Sequence, residues 1–140
     1  MDYNMVSAEE FGKSLTGLGV NIIVKSPAQT AQFLEAVFGL YPNLLSADFA
    51  LIRYQNDIFQ LHSDTSFAAH PSYPLLPENP PRSADIEIRL YNSNPDQTCT
   101  QAQAYGYMVL APATDKPHGL LKATILCPDG YIWVPSHPLA

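Results

Sequence analysis

Hydrophobic and polar positions follow the same order twice along this chain. The first copy has an apolar segment at Val20–Lys25 and then a helical stripe over Pro27–Phe38. The second has an apolar segment at Ala84–Tyr91 and a helical stripe over Pro95–Tyr105. Period-two alternation indicates a strand, and apolar residues three and four apart indicate one buried face of a helix. The pattern therefore predicts two similar strand–helix units.

The predicted helix ends carry matching signals in the two copies. Pro27 and Pro95 lie at the first helical position. An N–H at this position would have no acceptor within the helix, so proline loses no hydrogen bond there. Ser26 precedes Pro27 and can accept a hydrogen bond from the first turn. Gly39 and Gly106 follow the last turns, as is typical of a helix C-terminus. The two copies are therefore predicted to begin and end in the same way.

Each predicted helix is followed by three short apolar segments. These are Tyr41–Ser46, Phe49–Tyr54 and Ile58–His62 in the first copy, and Tyr107–Leu110, Leu120–Cys127 and Tyr131–Val134 in the second. Asn56-Asp57 and Pro128-Asp129-Gly130 are turn sequences between strands. The chain is thus predicted to have an α+β fold built from two βαβββ modules.

The chain divides into five segments by composition. They are an N-terminal extension at 1–17, a first module at 18–66, a proline-rich linker at 67–83, a second module at 84–135 and a tail at 136–140. The extension is expected to hold a short helix around Ala8–Leu15. Proline at the density seen in the linker interrupts helices and strand ladders. We expect one structural domain overall.

The amino-acid composition indicates a folded protein and argues against some classes of binding partner. Hydrophobic residues make up 46% and charged residues 14%, which suits a buried core and not a disordered chain. The net charge is −6 with only seven Lys and Arg, so no nucleic-acid partner is expected. No apolar run reaches the ~20 residues of a membrane span, and the N-terminus lacks a signal peptide pattern. With two unclustered cysteines, a cytoplasmic protein is expected.

Three sequence motifs and their order resemble the vicinal oxygen chelate superfamily. They are Gly106-Tyr107, Lys116-Pro117-His118-Gly119 and Cys127-Pro128-Asp129-Gly130-Tyr131-Ile132-Trp133. That superfamily includes glyoxalase I, the extradiol dioxygenases and the bleomycin-resistance proteins. The resemblance covers about Leu18 to Pro135 and implies that the paired modules form cupped mixed sheets. Exposed strand edges of such sheets favour a homodimer.

The resemblance also implies four metal-ligand positions. They fall at Gly19, Gln60, Asp85 and Val134 in this chain. Glycine and valine have no donor atom, and catalytic sites typically use three protein ligands. We therefore expect no metal cofactor, with Gln60, Asp85 and a neighbouring His62 as the candidates if a divalent metal binds.

Strand alternation and the cupped geometry of the family give a set of candidate ligand-binding residues. They are Asn21, Gln60, His62, Asp85, Glu87, Arg89 and His118. An ordinary half-solvated sheet face explains Glu87 and Arg89 equally well, and a backbone hydrogen bond at a strand end is the simpler role for His62.

Two functions follow from these residues. The first is metal-free binding or sequestration of a small organic molecule, cationic or aromatic, in a concave cleft, as in the bleomycin-resistance proteins. The alternative is a metal-dependent lyase or isomerase of the glyoxalase I type, with the ion acting as a Lewis acid. The sequence does not decide whether the protein is an enzyme. Loss of two donor positions favours the first hypothesis.

Overall fold

A computed structural model describes residues 2–139 of the chain. Its helices are α1 (Ala8–Ser14), α2 (Pro27–Phe38) and α3 (Pro95–Ala104), with short 3₁₀ turns at Thr65–Phe67 and Tyr73–Leu75. Its strands are β1 (Asn21–Val24), β2 (Pro42–Leu45), β3 (Phe49–Tyr54), β4 (Asp57–Ser63), β5 (Glu87–Tyr91), β6 (Val109–Asp115), β7 (Leu120–Leu126) and β8 (Ile132–Pro138). The predicted α+β class is confirmed.

The strands form two four-stranded mixed sheets with the same topology. The first sheet has the order β1-β4-β3-β2, and the second has the order β5-β8-β7-β6. In each sheet the strand before the helix pairs in parallel with the last strand, and the remaining pairs are antiparallel. The duplication seen in the sequence is therefore a duplication of strand order.

The chain divides into two compact units. Unit 1 contains the residues up to Ala31 together with Leu40–Pro74, and unit 2 contains Gln32–Gly39 together with the residues from Leu75 onward. Helix α2 spans this division, so its second half belongs to the unit that contains the second sheet. Within residues 2–139, no helix has the length and apolar character that crossing a bilayer requires.

The predicted helix ends are confirmed in both copies. Ser26 Oγ accepts a hydrogen bond from the Gln29 N–H at 3.2 Å, and Asn94 Oδ1 accepts one from the N–H three residues later at 3.1 Å. Gly39 and Gly106 adopt φ values of 67° and 81°, which favour glycine because it has no Cβ. Local chemistry is thus sufficient to set these boundaries.

Each sheet contributes one face to the core of its unit, although Leu51, Val134 and Ser136 on the opposite faces are also fully buried. In unit 1 the core face carries Ile22, Val24, Ala50, Ile52 and Leu61. In unit 2 the fully buried ring of Trp133 lies 6.0 Å from the ring of Phe33 and 6.2 Å from that of Phe38. Phe33 also meets Tyr107 edge to face at 4.9 Å. The second half of α2 therefore packs through aromatic rings in unit 2.

Several strand boundaries differ from the predicted ones. β5 begins at Glu87 and not at Ala84, so Asp85 precedes the strand. β6 covers Val109–Asp115, beyond the expected end at Leu110, and contains Pro112. An edge strand tolerates proline because one row of its N–H groups has no partner strand. β8 continues to Pro138, through positions expected to form a tail, because β5 and β7 both pair with it there.

Candidate functional site

The face of the first sheet opposite its buried side carries three of the predicted site residues. Asn21 pairs with Gln60 and Ile23 pairs with His62, so these side chains share one face, called here the site face of unit 1. The Nε2 atom of His62 lies 2.9 Å from the Oε1 atom of Gln60. The strand register therefore brings Asn21, Gln60 and His62 together as predicted.

His62 is held as a neutral imidazole at pH 7. Burial lowers the pKa of His62 from the ordinary histidine value of 6.5, because desolvation disfavours the charged ring. Since a glutamine Oε1 is only an acceptor, the Nε2–H donates to Gln60. The Nδ1 atom of the same ring is then a hydrogen-bond acceptor. The simpler expectation, a bond from His62 to a backbone carbonyl, is replaced by this side-chain pair.

His62 lies within a continuous row of rings, called here the aromatic row. Successive ring centroids in the row are 5.8, 6.5, 5.3, 5.6 and 4.7 Å apart, in the order Tyr3, Phe11, Phe49, His62, Phe67 and His70. Most of these pairs meet edge to face, the favoured geometry for aromatic pairs. Every member belongs to unit 1.

The N-terminal helix contributes one end of the aromatic row. Phe11 of α1 meets Phe49 of β3, and Phe49 is the register partner of His62. The Cζ atom of Arg53 lies 4.9 Å from the centroid of the Tyr3 ring. Because Phe49 and Arg53 lie on the site face, the segment that contains α1 lies against that face. The N-terminal segment therefore contacts the site face through Tyr3 and Phe11.

A cleft of about 240 Å³ lies beside this segment. One wall is the chain from Leu15 to Val20, and the other is the start of β4, including Ile58 and Gln60. Its volume is below the ~300–1,000 Å³ of typical small-molecule pockets. The cleft therefore suits one ring or a short side arm of a ligand.

The remaining predicted site residues lie in unit 2. Glu87 and Arg89 share the face of the second sheet opposite Trp133, called here the site face of unit 2. Asp85 is exposed before β5 and accepts a hydrogen bond from Ser83 Oγ at 3.3 Å. His118 is exposed in the turn between β6 and β7. Of these four residues, only Arg89 combines a place on the face with partial burial.

Arg89 is the register partner of Val134, and its guanidinium lies over the Tyr91 ring at 5.4 Å. Its Nε and Nη2 atoms are buried and have no hydrogen-bond partner within residues 2–139. The same holds for the Oγ atom of Ser136, whose residue is fully buried. Buried polar atoms without partners are uncommon and costly. These atoms therefore indicate that this part of the face could form further hydrogen bonds with a ligand.

The four positions that the resemblance implies for a metal do not fit one in this chain. Gly19 precedes β1 and has no side chain, and Val134 places a buried hydrocarbon where a donor is required. Gln60 uses its Oε1 atom in the bond to His62. Among residues 2–139, no group of three or more His, Cys, Asp or Glu is placed to hold a metal ion. A catalytic divalent metal typically needs three protein ligands, and this donor set does not supply them.

Sequence reasoning missed the residues that complete both faces. Phe49 could have been predicted, because strand alternation places it on the same face of β3 as Leu51 and Arg53. Phe11 was not, because nothing local shows where a seven-residue helix docks. Ser136 was also missed, because the last strand was predicted to end at Val134. Burial raises the pKa of both thiols, Cys99 and Cys127, which favours their protonated form.

Comparison with known proteins shows the fold. A glyoxalase/bleomycin resistance protein/dioxygenase from Nocardioides aligns with 94% of this chain and 91% of its own, at 17% identity and a TM-score of 0.66. A glyoxalase/bleomycin resistance protein/dioxygenase family enzyme from Burkholderia phytofirmans PsJN aligns with 86% and 96%, at 14% identity and a TM-score of 0.72. TioX from Micromonospora sp. ML1 aligns with 89% and 98%, at 18% identity and a TM-score of 0.62.

No family model and no curated protein matches the sequence. The likeness is therefore one of three-dimensional structure at low sequence identity. It confirms the glyoxalase/bleomycin-resistance/dioxygenase fold that the motifs indicated. Function has to be argued from the residues of this chain, because one fold supports many chemistries.

Proposed function

We propose that this protein binds a small aromatic molecule, neutral or cationic, on the site face of unit 1 without a metal ion. The observation that carries the proposal is the neutral His62 ring within the aromatic row. Aromatic edges and faces that are only partly buried offer stacking surface to a planar ligand, and ring faces also attract cations.

The polar groups of this face can orient such a ligand through hydrogen bonds. The Gln60 amide holds the His62 ring through the 2.9 Å bond, which leaves the acceptor Nδ1 for a ligand N–H or O–H. Asn21 is exposed next to Gln60 and adds an amide with both a donor and an acceptor. A few fixed polar groups within an apolar surface are typical of small-molecule sites.

The donor chemistry favours binding over metal-dependent catalysis. A metal enzyme of the glyoxalase I type would need donors at positions that are here Gly19 and buried Val134. None of the proposed steps requires an ion: stacking on rings and hydrogen bonding to neutral groups are sufficient. We include a homodimer in the cytoplasm in this proposal, because edge strands β1, β2, β5 and β6 lack a second neighbour in their sheets.

The test measures binding of 1-methylquinolinium, a planar aromatic cation, against the non-aromatic cation 1,1-dimethylpiperidinium by calorimetry. We expect the aromatic compound to bind more tightly. Phe49→Leu should weaken its binding by about three- to tenfold, the range for one lost aromatic contact. Tyr105→Leu is the control: this ring is 63% exposed in unit 2, outside the aromatic row and the cleft, so affinity should change by less than about twofold.

Two results would overturn the proposal. One is equal binding of the two cations with no effect of Phe49→Leu. The other is a transition metal at one per chain in the purified protein, together with a turnover that a chelator abolishes. Size-exclusion chromatography with light scattering tests the homodimer separately.

A further inference from the structure

Three polar side chains form one row across neighbouring strands on the site face of unit 2. Tyr91 of β5 pairs with Ser136 of β8, and Ser136 pairs with Lys122 of β7. The hydroxyl of Ser136 and the ammonium of Lys122 therefore lie on the same face as Arg89, two residues before Tyr91. Because the Arg89 guanidinium lies over the Tyr91 ring, it leans toward this row.

Arg89 and Lys122 place two cations on this face, which also carries Glu87. Within the described residues 2–139, neither Arg89 nor Lys122 forms an ion pair, although the chain has thirteen Asp and Glu. The Nε and Nη2 atoms form the edge of the guanidinium that binds carboxylates and phosphates in a bidentate manner. Both atoms are buried and have no hydrogen-bond partner among residues 2–139, and the same is true of the Ser136 Oγ atom.

We propose that Arg89 and this row form an oxyanion subsite. In it, Arg89, Ser136 and Lys122 bind the carboxylate, sulfonate or phosphate group of a small molecule. Arg89 supplies the bidentate edge, and the Ser136 hydroxyl donates one further hydrogen bond. Burial of an unpaired guanidinium is unfavourable, and an anion that reaches it removes that cost. The Tyr91 ring, which is 52% exposed, lies against the guanidinium and forms the side of the subsite that faces solvent.

A small molecule fits these observations better than a second protein chain. Ser136 is fully buried on β8, an interior strand with β5 and β7 on either side. A flat protein surface docks on exposed groups, whereas an enclosed hydroxyl and guanidinium edge are reached only by a small group. The subsite goes beyond the proposed function, because it rests on unit 2 and stands even if the aromatic row binds nothing.

The test uses four phenyl probes that differ in one substituent: benzoate, benzenesulfonate, phenyl phosphate and the neutral isostere benzamide. In the wild-type protein the ¹⁵N–¹H resonance of Arg89 Nε should shift with at least one anion, and the preferred anion identifies the ligand group. Benzamide should bind about tenfold more weakly or worse, because it lacks the charge. The same shift with benzamide would overturn the proposal.

Variants then assign the contacts. Arg89→Gln should weaken binding of the preferred anion by about tenfold or more, and Ser136→Ala by about threefold or more. Arg89→Lys should give an intermediate loss, because it keeps the charge but not the bidentate edge. Lys25→Gln is the control: Lys25 is an exposed cation of unit 1 that follows the end of β1, and its loss should change affinity by less than about twofold.

Two further outcomes would overturn the subsite. One is unchanged anion binding in Arg89→Gln. The other is conversion of a dimer to a monomer in Arg89→Gln with anion affinity retained, which would make Arg89 a subunit contact. If Arg89→Gln fails to fold, the wild-type Nε measurement with benzoate and benzamide decides alone. Binding at the aromatic row is measured with different probes and variants, so the two proposals fail independently.

Discussion

Gly130 and Pro81 approach so closely that no side chain fits between them. A Cβ atom added to Gly130 would lie 2.5 Å from the Cα atom of Pro81 and 2.8 Å from its Cβ atom. Next to this contact the Arg82 N–H donates to the Asp129 carbonyl at 2.9 Å. The end of the proline-rich segment is therefore fixed against the turn before β8.

This contact predicts a large effect of a small substitution. Gly130→Ala should lower the free energy of unfolding by about 2–4 kcal/mol, because it adds steric overlap with backbone to the strain of φ 84°. Gly119→Ala is the matched control: its φ is 83°, but nothing lies within 4 Å of the added Cβ, so only about 1–2 kcal/mol is expected. Urea denaturation measures both, and equal losses would contradict the close contact.

The aromatic packing of α2 in unit 2 predicts a second effect on stability. Phe33 is fully buried and meets both Tyr107 and Trp133. Phe33→Ala should cost about 3–5 kcal/mol, the usual range for a buried phenylalanine. Leu75→Ala, at a residue that is 80% exposed, should change stability by less than about 0.5 kcal/mol. The fluorescence of Trp133, the single tryptophan, follows the unfolding of unit 2.

The lowered pKa of His62 predicts a pH dependence of stability. The unfolded chain binds a proton at this ring near the ordinary value of 6.5, whereas the folded protein binds it only at lower pH. This contribution to the free energy of unfolding is therefore present above pH 6.5 and is lost as the pH falls through the folded-state pKa. Urea denaturation at pH 7.5 and pH 5.0 should show a smaller loss in His62→Gln than in wild type. Identical losses would contradict the assignment.

The attachment of the N-terminal segment predicts fast local opening. Among the described residues, the backbone hydrogen bonds of residues 2–18 are all internal to that segment, and the first one to the sheet runs from the Gln60 N–H to the Val20 carbonyl. None of the α1 residues is fully buried. Hydrogen exchange should therefore show rapid exchange of the α1 amides while those of β4 remain protected. Protection of the Phe11 amide equal to that of His62 would contradict this prediction.

Local signals predicted the elements of the fold. Proline at the first helical position, Ser26 at the start of α2 and glycine after each helix act within a few residues of chain. They gave both long helices and the duplicated order correctly. The predicted boundaries were wrong where a neighbouring strand decides them. β6 was expected to end at Leu110 but continues through Pro112, and β8 was expected to end at Val134 but continues because two strands pair with it.

The candidate site was predicted only in part. Strand alternation placed Gln60 and His62 on one face and Arg89 on the face opposite the helices, and the register confirms both. Alternation identifies which side chains share a face, but not what covers them. The docking of Phe11 on Phe49 and the burial of Ser136 therefore had no signal in the sequence.

By itself the sequence determined the duplicated topology, because helix ends, turns and strand periodicity depend on interactions between residues close along the chain. It also determined that two of the positions implied for a metal by the resemblance, Gly19 and Val134, have no donor atom, because the chemistry of a side chain does not depend on folding. Only the tertiary structure decided which polar groups are buried from solvent. Desolvation of His62, Arg89 and Ser136 depends on atoms distant in sequence, and that desolvation gives these residues their proposed roles.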